Sequence, residues 1–156
     1  MIKIEGIILK KAGLNEADQL LTVYTKELGK VRISAKGVKK LESKLRYSIE
    51  PISYVQLILV EGKNFLILKD AVIKDQFLKI KKDLNKLKTA KQIADLIDEA
   101  IIGEERDENI WKLILSTYKA INVGSRVSNI KADFEKKLIS LLGYDPEQVK
   151  NIEDIY

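Results

Sequence analysis

Near Lys74 the hydrophobic pattern of this 156-residue chain changes its period. Before that point, β-branched residues gather in five short apolar runs: Ile2 to Lys11, Asp18 to Thr25, Lys30 to Val38, Ile52 to Glu61 and Asn64 to Lys74. Turn signals separate them, with GLNEAD first, KELGK as a tight turn, VKKLESKLRYSIEP as a long loop and EGKN as a hairpin turn in which Gly62 is expected at positive φ. Beyond Lys74 the apolar spacing is helical. Leu84, Leu87, Ala94, Ile97 and Ile101 form one stripe, with Gly103 at its stop. Ile110, Trp111, Ile114, Leu115, Tyr118 and Ile121 form a second that ends near Gly124. A third runs from an expected N-cap at Ser128 through Ile130, Phe134, Leu138, Leu141 and Leu142 to Gly143, with Pro146 just beyond.

Five short strands joined in this way suit a small barrel of OB type, whose closure removes exposed strand edges. Helices with apolar stripes must bury them against each other or against the barrel. The expected fold class is therefore α+β: a five-stranded OB barrel over residues 1–77, followed by an all-α helical domain over residues 78–156. No internal repeat or low-complexity linker interrupts it.

The chain contains no cysteine and no histidine. That excludes disulfides, thiolate nucleophiles, histidine general bases and zinc sites built from Cys and His. No P-loop, GxSxG or paired-acid motif stands in their place, so neither catalytic residues nor a cofactor or metal is expected. Hydrolase or nuclease chemistry would need clustered carboxylates for metal ions, and here the acids are scattered. No apolar run approaches the roughly 20 residues of a membrane span, and a cytoplasmic protein is expected.

The net charge of +5 is unevenly distributed. Residues 1–80 hold 15 Lys or Arg against 9 Asp or Glu, whereas residues 81–156 hold 13 against 14. The excess narrows to Lys30, Arg32, Lys36, Lys39, Lys40, Lys44 and Arg46, opposed by Glu42 alone. Within the third run Val31, Ile33 and Ala35 alternate with Arg32, Ser34 and Lys36, so the period of two turns the apolar set inward and the basic set outward. Such a segment can neutralise backbone phosphates and release their counterions, which favours a nucleic acid over a small acidic ligand. A lysine-rich loop is ordinarily just solvated surface. Its confinement to one strand and the adjoining loop of an OB barrel favours the binding reading.

Tyr24, Tyr47 and Tyr54 would offer unpaired bases a stacking platform, although aromatics at strand spacing more often fill a core. Glu16 and Asp18 read as turn-capping acids or partners of nearby lysines rather than a catalytic pair. Trp111, Tyr118, Phe134, Leu138 and Leu142 read as helical core before they read as a peptide groove.

The string from Gly6 to Ser53 resembles the N-terminal domain of the bacterial RecO family. The matching pattern is an initial Gly-Ile-hydrophobic strand at Gly6, a Glu-x-Asp turn at Glu16 and Asp18, and a Thr-x-x-x-Gly-Lys segment at Thr25, Gly29 and Lys30. It continues as Ala35, Lys36, Gly37, Lys39 and Lys40, then Ser43, Lys44, Arg46 and a closing Pro51. FEKKLISLLGYDP, from Phe134 to Pro146, resembles the end of the family's helical domain. The resemblance implies a recombination mediator in DNA repair, associated with the nucleoid. Such a protein binds single- and double-stranded DNA, promotes annealing, and works with RecR to load RecA onto strands coated with single-stranded DNA-binding protein. It also implies that the helical domain holds the acidic, hydrophobic C-terminal tail of that coating protein.

The chain departs from the family at one point. Many members continue past the Gly-Tyr-x-Pro segment into a cysteine zinc module, whereas this sequence ends ten residues after Pro146 with no cysteine. Zinc is accordingly not expected, and the helical domain reads as either naturally short or truncated. Two other readings of the same residues are a general single-stranded nucleic-acid-binding OB protein and a protein-interaction scaffold with solvated lysines.

Overall fold

The computed structural model describes residues 1–36 and 44–155, with the Lys44 side chain outside the description. These residues fall into two compact units, one of Met1–Gln76 with Gly103–Arg106 and the other of Phe77–Ile102 with Asp107–Tyr156.

The first unit is a closed barrel of β1 (Ile2–Gly13), β2 (Gln19–Thr25), β3 (Gly29–Ala35), β4 (Ser53–Glu61) and β5 (Leu66–Asp75) in the order β1-β2-β3-β5-β4. All neighbours are antiparallel except β3 and β5, which pair in parallel through Ile33 with Leu66 and Ser34 with Ile67. This is the OB arrangement that the five apolar runs predict. Inward residues alternate along each strand, and Ile4, Ile8, Leu21, Val23, Val31, Ile33, Val55, Leu57 and Leu59 form the packed interior.

Register in the barrel breaks at three points. Ile8 faces Val23 while Lys10 faces Thr22, so Leu9 is an extra residue in β1. Against β4, the extra residues of β5 are Lys69 and Lys74. Such bulges re-aim the side chains that follow them.

The β2–β3 turn is locked from within. The Thr25 hydroxyl accepts from Leu28 N–H and donates to the Gly29 carbonyl, both at 2.8 Å. Gly29 has φ +70°, and a Cβ there would lie 2.4 Å from the Glu105 carbonyl oxygen, so both the turn and the close approach exclude a side chain. Gly62 is not among the positive-φ glycines, contrary to expectation. Its lack of a side chain answers a close approach instead, since a Cβ would lie 2.4 Å from the Phe65 carbonyl oxygen. The expected long loop contains a 3₁₀ turn at Lys44–Tyr47, while Val38, the expected end of the third strand, lies outside the described residues.

The second unit comprises α1 (Leu78–Lys81), α2 (Leu84–Ala100), α3 (Glu108–Val123) and α4 (Ile130–Leu141). Ala90, Ile93, Ala94 and Ile97 of α2 are buried, as are Ile110, Trp111, Ile114, Tyr118 and Ile121 of α3 and Phe134, Leu138 and Ile139 of α4. Tyr118 donates to the Ala90 carbonyl at 3.1 Å, and its ring lies 6.0 Å from that of Phe77. Leu84 departs from the expected stripe. The stripe runs back from Ala90 through Leu87, which leaves Leu84 85% exposed. Asn129, with no side-chain bond, occupies the cap position expected for Ser128. Gly143 (φ +93°) ends α4 as expected, with Tyr144 N–H closing back on the Ile139 carbonyl at 3.1 Å.

Candidate nucleic-acid interface

The outward set of β3 carries the basic residues. Val31, Ile33 and Ala35 face the interior, and the alternation leaves Arg32 exposed, Lys30 half-buried and Ser34 buried, with exposed Lys36 just past the strand. In an OB barrel the β2–β3 face and the β1–β2 and β4–β5 connections are where oligonucleotides are held. Arg32 and Lys36 make no ion pair among the described residues. Lys30 stands opposite Tyr24 and Arg32 opposite Thr22.

Arg46 lies in the 3₁₀ turn, with its guanidinium carbon 5.2 Å from the centroid of the Tyr47 ring and a hydrogen bond of 3.4 Å to the Tyr47 hydroxyl. Lys44 opens the same turn. Lys39 and Lys40 lie outside the described residues, as does the Lys44 side chain. The described residues thus bring Lys30, Arg32 and Lys36 together on β3 and its end, and hold Arg46 in a separate turn.

The three tyrosines have different fates. Tyr24 is fully buried and offers no platform, whereas Tyr47 is 68% exposed and free to stack on its outer face. Tyr54 is half-buried and donates to Glu5 Oε2 at 2.7 Å. Lys74, the bulged residue of β5, reaches Glu5 Oε1 at 2.6 Å and stands 5.1 Å over the Tyr54 ring. The hydrogen bond from Lys74, reinforced by that from Tyr54, holds the Glu5 carboxyl below its ordinary range despite partial burial. Lys74 and Lys11 are thus already matched by carboxylates, Lys11 by Glu50 at 2.8 Å, and add less positive potential than Arg32.

Asp18 serves a turn, as its sequence context suggests, but the capping oxygen belongs to Asn15. That oxygen accepts from the N–H groups of Ala17 at 3.0 Å and Asp18 at 2.9 Å, while Asn15 Nδ2 donates to Asp18 Oδ2 at 2.9 Å. Glu16 is exposed at the tip.

Lys10 is a basic residue that sequence reasoning missed. Simple alternation from Ile8 would turn it inward, but the bulge at Leu9 pairs it with Thr22, which in turn pairs with Arg32. Lys10 and Arg32 therefore share the outward face across three strands. Lys63, exposed in the β4–β5 connection, is a further cation at an OB contact position. No group of three or more acidic side chains among the described residues could hold a metal ion, and none of the described helices is long and apolar enough to cross a membrane.

A closed five-stranded barrel in this strand order, with a basic outward strand, defines an OB-fold protein of the kind that presents a cationic face. Its first 77 residues match the family model described as "Recombination protein O N terminal", so the barrel is a RecO-family N-terminal domain. The similarity extends into the helical unit. The chain is 31% identical over 145 residues to the DNA repair protein RecO of Roseiflexus sp. (strain RS-1), covering 93% of this chain and 51% of that protein. It is 34% identical over 146 residues to the DNA repair protein RecO of Clostridium perfringens (strain 13 / Type A), covering 92% of this chain and 59% of that protein. With the DNA repair protein RecO of Desulforamulus reducens it shares 32% identity over 145 residues, 93% of this chain and 56% of that protein. The chain thus spans between half and three fifths of the length of these relatives.

Proposed function

We propose that this chain acts in DNA repair as a non-catalytic DNA-binding recombination mediator. The barrel domain, residues 1–77, holds single- and double-stranded DNA through Lys30, Arg32, Lys36, Lys39, Lys40, Lys44 and Arg46. The helical domain, residues 78–156, receives the acidic tail of the single-stranded DNA-binding protein. With RecR it promotes annealing and the loading of RecA in the cytoplasm at the nucleoid. The observation that carries this reading is the exposed Arg32 and Lys36 on an OB barrel, without an ion-pair partner among the described residues and continuous in sequence with five more cations. The names of the relatives, each a DNA repair protein, point the same way.

The test is DNA affinity against salt. Neutralising Lys36, Lys39, Lys40 and Arg46 to glutamine should flatten the slope of log K against log salt by about 3, at 0.7 to 0.9 per lost phosphate contact, with the fold retained by circular dichroism. An unchanged slope rejects the assignment. An annealing assay on complementary strands coated with single-stranded DNA-binding protein separates a mediator, which accelerates pairing, from a passive binder, which does not.

A further inference from the structure

A second cationic concavity lies in the helical unit, remote in sequence from the barrel's basic segment. It is an open groove of about 470 Å³ bounded by the start of α2 and the α3–α4 connection, with Lys86, Lys88 and Arg126 among its walls. The chain from Lys79 to Lys91 holds six lysines against Asp83 alone, inside a half of the sequence that is otherwise slightly acidic.

Three features separate this groove from an ordinary solvated face. Its cations come from two chain segments and converge on one hollow. Lys86 Nζ is held at 2.9 Å by the carbonyl of Asn122, a neutral acceptor that fixes the ammonium without cancelling its charge. Lys88 and Arg126 are exposed and have no carboxylate partner among the described residues. The one acid in the walls, Asp83, is engaged as the cap of α2, accepting from Asn85 N–H at 2.9 Å and Lys86 N–H at 3.2 Å. Two amide groups of the first turn, those of Asn85 and Lys86, are therefore taken, and side-chain cations carry most of the positive potential.

The remaining wall is mostly hydroxyl and amide, from Asn85, Thr89, Gln92, Ser125 and Ser128, with Val127 its one apolar residue. An acidic peptide with apolar anchors would need an apolar floor, whereas a sugar-phosphate chain takes cations and neutral donors together. We infer that this groove is a second polyanion site, binding the phosphodiester backbone of a nucleic acid through Lys86, Lys88 and Arg126. It is independent of the barrel's cations.

The experiment titrates the full chain with a labelled twelve-nucleotide DNA strand, following anisotropy against salt and the backbone amide resonances of residues 125–128. Lys88→Gln with Arg126→Gln, both at exposed positions, should flatten the salt slope by about 1.5, the loss of two contacts. In the unmodified chain the 125–128 amides should shift on adding DNA, and they should still shift in a barrel variant carrying Arg32→Gln and Lys36→Gln. Amides that do not move in either protein overturn the inference, as does an unchanged slope. A larger response to a poly-glutamate peptide than to DNA overturns the nucleic-acid assignment. An unchanged salt slope in the barrel variant, with the helical response intact, would count against the barrel reading alone.

Discussion

A single hydroxyl closes the turn that starts β3. Thr25 is 1% exposed and satisfies one donor and one acceptor of the backbone, so Thr25→Val keeps the shape and orphans both groups. The expected cost is about 1–3 kcal/mol, read as a lower denaturation midpoint with an unchanged m-value. Glu5 gives a pH signature. Its carboxyl titrates below the ordinary value of 4.5 because Lys74 and Tyr54 bind the charged form. A lowered folded-state pKa stabilises the fold above the unfolded-state value and loses that contribution as the pH falls through the folded one. The melting-temperature gap between the native chain and Glu5→Gln should therefore be present at neutral pH and shrink below about pH 4, as measured by thermal scans. Glu5 itself could not have been singled out from the sequence, because its partners are Tyr54 and Lys74, the latter aimed at it by a bulge. The Thr-x-x-x-Gly-Lys spacing was legible, and its physical content is this turn.

Among the elements, the strands were readable because both of their faces leave a trace. A period of two distinguishes Val31, Ile33 and Ala35 from Arg32 and Lys36, and each strand lies within two residues of its expected start. Features that depend on contact rather than pattern were not readable. Gly62 looked like a positive-φ turn residue and proved to be a close-approach residue. Ser128 looked like a cap, yet the helix begins after Asn129 without side-chain help. The helices differ in this respect, for Asp107 caps α3 by accepting from Ile110 N–H at 3.0 Å. Asp107→Ala should cost about 1 kcal/mol, whereas Asn129→Ala should cost a few tenths at most. Urea denaturation of the two variants measures the difference.

Over the whole molecule, the candidate interface was half legible. The cluster from Lys30 to Arg46 stands out because its charge is local in sequence. The outward placement of Lys10 depends on register. The groove at Lys86, Lys88 and Arg126 depends on two segments meeting, and averaging charge over residues 81–156 hides it. The bulges also divide the barrel by its tolerance of length change. Where two residues of β1 or β5 oppose one of a neighbour, at Leu9, Lys69 and Lys74, the ladder holds slack. One residue can be lost there while the pairs on either side keep their partners. Between β2 and β3 there is none, since Gln19–Thr25 meets Gly29–Ala35 residue for residue. A frame-preserving deletion of one codon in β3 would turn the basic set into the interior and the apolar set into water. Insertions and deletions among descendants of this gene would therefore be confined to the barrel's slack strands, leaving the β2–β3 hairpin to vary by substitution alone.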